Sequence, residues 1–264
     1  MRYFAAPRPR VFGHRGACGV APENTLPSFA LAVALGADYL ELDVHATRDG
    51  EIVVLHDAEL DRTTSGSGPV SEHAWAAVAA LDAGWQFTPD GRHFPYRGQG
   101  VRVPRLAEVL TAFPAQCLNI EIKQGAPAIV APVLAVLRAA GALDRTLLAA
   151  EHDAIMTDIR AAVGDRVATG MSVGDVWHFM ERVATDAWDD YVAPGRALQV
   201  PAAFEGIEIV TPAFVAAAHR AGMEVHVWAV NDAAEIARLF DLGVDGVMSD
   251  LPGLVASAAR ARRG

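Results

Sequence analysis

Short apolar runs that end in polar residues alternate with Ala- and Leu-rich stretches of helical length, and this alternation restricts the fold more than any other feature of the chain. Strands joined by crossovers of about a dozen residues or more, each able to hold a helix, lie parallel in one sheet. The strands are expected at residues 10–14, 38–44, 117–123, 146–151, 167–171, 197–201, 224–230 and 245–249. Helices are expected over ENTLPSFALAVALG, APAIVAPVLAVLRAAG, AAEIARLFDLG and PGLVASAARARR, the first capped by Asn24 or Thr25. A further run, EIVVLHD, is separated from the second strand only by TRDG, too little for a parallel crossover, so it returns antiparallel as a hairpin. Setting it aside leaves eight βα units, the number that closes a TIM barrel with its active site at the carboxyl ends of the strands.

The 264 residues suit a single barrel domain, and 52% hydrophobic residues supply a large core. The segment from about 57 to 103 is too long for a βα loop and is rich in Gly, Pro and aromatics. It reads as an inserted subdomain covering the strand ends. With 22 Lys plus Arg against 32 Asp plus Glu, the net charge of −10 argues against nucleic acid as a partner, so an anionic ligand needs a local basic site. No window approaches ~18 continuous apolar residues and no signal-like run opens the chain, which sets the expectation of a cytoplasmic protein without a stable membrane anchor. Cys18 and Cys117 stand far apart without a CxxC, so neither a disulfide framework nor a zinc site is expected.

The expected strand ends gather charge. His14 and Arg15 close the first, Glu41 and Asp43 the second, His56 the hairpin, and Glu121 and Lys123 the third. In Glu41-Leu42-Asp43 and Glu121-Ile122-Lys123 the period of two puts both polar side chains on one face and the aliphatic on the other. Three carboxylates at one mouth repel unless a cation lies among them, and an all-oxygen set suits Mg²⁺ or Ca²⁺ better than zinc. The competing arrangement is an internal salt-bridge ring of the carboxylates with Arg15 and Lys123. His14 and His56 can exchange protons near neutral pH, while Arg15 and Lys123 with a divalent ion would neutralise a phosphate. Gly13 and Gly16 let the backbone approach closely around His14 and Arg15.

These motifs resemble the glycerophosphodiester phosphodiesterases: GHRG with PENT at 13–25, ELDVHATRDGEIVVLHDAELDRTTSGSGPV at 41–70, LDAG at 81–84, RVPRLAEVL at 102–110 and NIEIK at 119–123. LQVP, IVTP, VHVWAVND and GVDGVMSDLP resemble the later strands of that family. The resemblance implies a TIM barrel with a small insertion, and metal-dependent hydrolysis of a small-molecule glycerophosphodiester to glycerol 3-phosphate and an alcohol. It also implies metal ligation by Glu41, Asp43 and Glu121, acid–base roles for His14 and His56, and phosphate contacts from Arg15 and Lys123. Where many members carry a Ser-Phe pair after the fourth strand, this chain has Ala150-Glu151-His152-Asp153, which alters the usual substrate pocket. Glu151, Gln199 and Trp228 are the expected pocket residues, Trp228 facing a cationic head group or else belonging to the core, with Asn231 a further glycerol contact. Glu205, Glu208 and the charges of ARARR read as solvated surface.

Two rival activities use the same residues. A lysophospholipase D or phosphate-cyclising lyase predicts an apolar acyl groove in the insertion, from Trp75, Trp85, Phe87, Phe94 and Tyr96. A catalytically silent barrel that binds phosphodiesters predicts the loss of a ligand or histidine, and none is lost.

Overall fold

The computed structural model describes residues 1–188 and 190–263. Eight parallel strands form the barrel wall: β1 (Arg10–Gly13), β2 (Tyr39–Ala46), β4 (Cys117–Ile122), β5 (Thr146–Ala149), β6 (Ala168–Thr169), β7 (Ala197–Val200), β10 (Glu224–Val227) and β11 (Gly246–Ser249). Their spatial order is β6-β5-β4-β2-β1-β11-β10-β7. A parallel bridge from Gly170 to Ala197 brings the two ends of that path together, so the barrel is nearly closed. β3 (Ile52–Val54) pairs antiparallel with β2, with Val44 opposite Val54, as the short TRDG connection requires. A small hairpin of β8 (Ala203–Phe204) and β9 (Ile207–Glu208) follows β7 and was not foreseen. Its turn uses Glu205 and Gly206, both at positive φ (49° and 82°).

The outer helices are α1 (Leu26–Ala34), the four-residue α2 (Trp75–Val78), α3 (Leu106–Ala112), α4 (Val130–Ala139), α5 (Asp153–Val163), α6 (Val173–Thr185), α7 (Pro212–Arg220), α8 (Ala233–Asp241) and α9 (Pro252–Arg263). Thr25 caps α1 by accepting from the Ser28 N–H, and Pro27 sits in the first turn where its missing donor costs nothing. Asn24 is thereby free for another task. One continuous apolar layer packs helices on strands, including Phe29, Leu40, Leu118, Met156, Leu198 and Leu239.

A second cluster fills the barrel interior, where Tyr3 from the leading 3-10 turn (Arg2–Ala5) packs edge-on against Tyr39, itself stacked on Phe12 at 4.4 Å. At the first residues of β1 and β10, Arg10 forks onto Glu224 through bonds of 2.8 and 2.7 Å, and His226 lies 3.0 Å from the same carboxylate. These groups sit at the amino-terminal end of the barrel, the face associated with stability rather than chemistry. Of the ARARR charges, Arg263 departs from the expected solvated state: it binds the carboxylate of Asp38 and the Pro9 carbonyl.

The segment after the hairpin has its own small core of Leu60, Val70, Val78, Ala83, Val101 and Val103, packed on Val53 and Leu55. Its aromatics are engaged locally, with Arg97 lying 4.4 Å over Trp85 and 3.9 Å over Phe94, and Arg105 5.2 Å over Trp75.

Candidate active site

Gly13-His14-Arg15-Gly16 turns sharply where β1 ends. A Cβ on Gly13 would come within 2.7 Å of the Gly16 carbonyl and 2.8 Å of Ala32, and one on Gly16 within 2.3 Å of the Ser28 hydroxyl, so neither position accepts a side chain without displacement. Arg15 itself is left-handed (φ 49°), a strained state for a non-glycine residue. In that turn its backbone N–H donates to Glu41 Oε2 at 2.8 Å, and its carbonyl accepts from the Asn24 N–H at 3.0 Å. The tight turn thus ties the end of β1 to the carboxylates of β2.

Asp43 and Glu121 are register partners on β2 and β4, and Glu41 is opposite Asn119, so the carboxylates project to one face of the strand ends. Oxygens of Glu41, Asp43 and Glu121 lie within 4.8 Å of one another. Glu41 and Asp43 are buried. Burial, and then the Asp43 charge, push the Glu41 carboxyl up to about 8. Both causes mark a place where negative charge is crowded and under-solvated, a donor set that fits a hard divalent cation.

Cations flank this set without filling it. Lys123 Nζ lies 2.9 Å from Glu121 and 3.7 Å from Asp43; burial lowers its pKa, but those two carboxylates outweigh it and leave it raised. The Arg15 guanidinium bonds Glu23 at 3.0 Å, and its buried Nε stands 3.5 Å from Asp43 without a hydrogen bond. Asn24 donates to Asp43 Oδ2 at 2.9 Å. The competing ring is therefore present only in part: Lys123 pairs with Glu121 and Asp43 and Arg15 approaches Asp43, while among the described residues Glu41 has no ion-pair partner and accepts the Arg15 backbone N–H.

Each histidine has a carboxylate behind it. His14 Nδ1 lies 2.7 Å from Asp250 Oδ1, and Asp250 is fixed in turn by Asn231 Nδ2 (2.6 Å) and the Cys18 thiol (2.8 Å). Burial raises the Asp250 pKa, but these donors outweigh it and hold the carboxyl far below its ordinary value. For His14, burial acts downward, yet the Asp250 bond and the Glu41 charge leave its pKa raised. Burial, with the Asp250 charge next, drives the Cys18 thiol far up, so it serves as a donor and not as a nucleophile. His56 Nδ1 lies 2.6 Å from Asp57, whose other oxygen accepts from Arg62 at 2.5 Å. The Arg62 hydrogen bond, opposed by some burial and reinforced by His56, holds Asp57 at about 2. Arg62 also forks onto Glu23 with two 2.7 Å bonds, linking Asp57, Arg62, Glu23 and Arg15 in one chain.

His14, Arg15, Glu41, Asp43, His56, Glu121, Lys123, Glu151, Gln199 and Trp228 all line one cavity of about 410 Å³ at the carboxyl ends of the strands. Trp228 is 43% exposed, so it walls the cavity and is not core. Gln199 also lines it and donates to Asn119 Oδ1 at 2.7 Å. Asn231, expected against glycerol, does not line the cavity: its side chain is spent on Asp250 and Ser249. Among the described residues none from 58–103 lines it either, so the insertion flanks the mouth and the expected acyl groove of Trp75, Trp85, Phe87, Phe94 and Tyr96 is not formed there.

Sequence reasoning missed Asp250, Glu23 and Arg62. Each stands in a family motif (SDLP, PENT, LDRTT); Asp250 meets His14 across 236 residues and Arg62 meets Glu23 across 39, while the Arg62–Asp57 and Arg15–Glu23 pairs span only five and eight. Asp57, next to His56, was the one supporting group that adjacency alone could have disclosed.

The sequence profile of the glycerophosphoryl diester phosphodiesterase family matches residues 14–254. A glycerophosphodiester phosphodiesterase of Caldanaerobacter subterraneus subsp. tengcongensis is 29% identical over 95% of this chain and 97% of its own. The crystal structure of a glycerophosphodiester phosphodiesterase from Agrobacterium tumefaciens superposes with a TM-score of 0.77 at 29% identity, covering 94% of this chain and 99% of that one. An Oleispira antarctica phosphodiesterase solved with its product sn-glycerol-3-phosphate gives a TM-score of 0.75 at 27% identity, over 94% of this chain and 96% of the other. A nearly closed barrel with the HRG, ExD, HD and ExK residues converging at its mouth, matched over almost its whole length, belongs to the glycerophosphoryl diester phosphodiesterase family of phosphoric diester hydrolases.

Proposed function

We propose that the chain hydrolyses glycerophosphodiesters to glycerol 3-phosphate and an alcohol at this cavity, with Glu41, Asp43 and Glu121 holding Mg²⁺ or Ca²⁺. The observation that carries the reading is the convergence of two carboxylate-backed histidines, two fixed cations and the acidic triplet in one pocket. A divalent ion there supplies charge neutralisation for the phosphoryl oxygens.

The side chains divide the remaining work. Arg15 and Lys123 bind non-bridging phosphate oxygens and lower the cost of the charge that accumulates on them during attack. An ionised Asp250 can only accept, so it fixes the proton of His14 on Nδ1 and leaves Nε2 for transfer; Asp57 does the same for His56. One imidazole takes the proton of the attacking hydroxyl and the other gives its proton to the departing alcohol. Glu151 and Trp228 border the place of the leaving group, where a carboxylate and an aromatic face favour a cationic alcohol such as choline. The insertion supports His56 from outside the pocket through the link from Arg62 to Asp57.

Turnover of glycerophosphocholine by His14→Ala and His56→Ala tests the assignment. Each should fall ~10²-fold or more with the fold intact, and near-parent turnover by either removes that histidine from the reaction.

A further inference from the structure

His14, Cys18 and Asp250 bring one nitrogen, one sulfur and one carboxylate oxygen within 4.8 Å of one another. His14 Nδ1 lies 2.7 Å from Asp250 Oδ1, Cys18 Sγ lies 2.8 Å from the same oxygen, and Sγ stands 4.0 Å from Nδ1. Cys18 and Asp250 do not line the substrate cavity, so the three atoms meet behind the imidazole. The cluster is half-buried and adjoins the exposed Asn231, whose Nδ2 occupies the other Asp250 oxygen at 2.6 Å. Cysteine spacing alone argues against zinc, but the fold supplies Cys18 with a histidine 4 residues away and a carboxylate 232 residues away.

This N, S and O set has the chemistry of a zinc site with three protein ligands and one open position. Tetrahedral zinc, with bonds of about 2.0 Å to N and O and about 2.3 Å to S, separates its ligand atoms by about 3.3 to 3.6 Å. To receive it, the two hydrogen-bonded contacts would open by about 0.6 to 0.8 Å and the sulfur–nitrogen gap would close by about 0.4 Å, which small side-chain rotations provide. The all-oxygen triplet of Glu41, Asp43 and Glu121 shares no residue with this set, so a hard ion and a thiophilic ion have separate places.

We infer that His14, Cys18 and Asp250 form a second metal site, for Zn²⁺ or another thiophilic divalent ion, whose occupation switches hydrolysis off. The switch rests on the phosphodiesterase reading; the site rests on its three ligands. Binding uses the lone pairs of the Cys18 thiolate and of His14 Nδ1. The thiol proton passes to solvent, and the proton that Asp250 holds on Nδ1 moves to Nε2. Where His14 begins as an imidazolium, one further proton leaves. Nε2 is then a neutral N–H: it has no lone pair with which to act as a base, and it is too weak an acid to replace an imidazolium. The Asp250 carboxylate that orients the ring is spent on the ion as well. Hydrolysis therefore stops whether His14 serves as the acid or as the base.

The test titrates Co²⁺, a spectroscopic stand-in for Zn²⁺, into the purified full chain, kept reduced with a phosphine and in excess Mg²⁺. A thiolate-to-cobalt charge-transfer band should saturate at one ion per chain, persist in Glu41→Gln, and vanish in Cys18→Ser, which keeps a hydroxyl to donate to Asp250. Cys117 is the other cysteine of the chain, so a band retained in Cys117→Ala comes from Cys18 even if Cys18→Ser fails to fold. In the presence of the activating metal, Mg²⁺ or Ca²⁺, Zn²⁺ should inhibit glycerophosphocholine turnover, and raising that metal should not relieve it. Each protein scored against its own zinc-free rate, the half-inhibiting Zn²⁺ concentration should rise at least 10-fold in Cys18→Ser. A parent without a thiolate band, a band lost in Cys117→Ala, or one that survives in Cys18→Ser overturns the site. Inhibition that the activating metal relieves, equal in parent and Cys18→Ser, puts zinc on the acidic triplet and also overturns it. A saturating band without inhibition overturns the switch and leaves the phosphodiesterase reading standing. If no diester is hydrolysed with either metal, that reading fails, and the cobalt band alone then decides the site.

Discussion

Asp250 Oδ1 stands 2.7 Å behind His14 Nδ1, across 236 residues of sequence, and the same carboxylate is held by Asn231 and Cys18. Asp250 does not line the cavity, so its contribution is to fix the tautomer and direction of the imidazole. Asp250→Asn can present an amide N–H to Nδ1 and turn the ring to the wrong tautomer. The expected result is a fall in kcat of ~10²-fold or more with KM and the metal-induced gain in melting temperature nearly unchanged. Parent-like kcat contradicts the positioning role.

Arg62 makes the insertion a brace. Its guanidinium bonds Asp57 and Glu23 together, although among the described residues no part of the segment lines the cavity itself. Arg62→Ala should therefore lower turnover by about 10-fold on every diester alike, since what loosens is His56 and Arg15 and not a substrate contact. Steady-state rates on glycerophosphocholine and glycerophosphoethanolamine check this. A loss confined to one of them would assign the segment to substrate selection instead.

Glu41 sets a pH dependence for the metal-free protein. Its carboxyl rises from 4.5 to about 8 on folding, chiefly through burial, so the protonated form favours the native state. That stabilisation is complete below about 4.5 and is lost as pH rises through about 8. In chelator, the melting temperature should decline between pH 5 and 8 more steeply for the parent than for Glu41→Gln, which cannot ionise. Saturating Mg²⁺ or Ca²⁺ should restore the parent at pH 8 and leave the variant unmoved. If the salt-bridge ring alone explained the site, Glu41→Gln would instead lose ~3 to 5 kcal/mol with or without metal.

What the sequence revealed and concealed follows from range. Glu41 with Asp43 and Glu121 with Lys123 were legible because the strand period of two sets their direction locally, and His56 because four residues can only close a hairpin. Asp250 meets His14 and Arg62 meets Glu23 only through the tertiary fold, which no local pattern encodes, whereas Arg62 and Asp57 are only five residues apart. The β8–β9 hairpin escaped because Glu205 takes a positive φ usually given to Asn, Asp or Gly. Val173, Val176, Trp177 and Met180 of α6 have the spacing of an ordinary core helix face, and only packing shows that they line the cavity. The acyl groove was sought in the insertion because that segment concentrates aromatics, yet stacking with Arg97 and Arg105 occupies three of them.

The most direct measurement of the central claim is release of glycerol 3-phosphate from glycerophosphocholine by the purified chain, in Mg²⁺, in Ca²⁺ and in chelator, beside Glu41→Gln. Glycerol 3-phosphate and choline should appear in equal amounts with at least one of the two metals, cease in chelator, return when that metal is restored, and fall by ~10²-fold or more in the variant. Full turnover in chelator, or parent-like turnover by Glu41→Gln, would contradict a metal held by Glu41, Asp43 and Glu121.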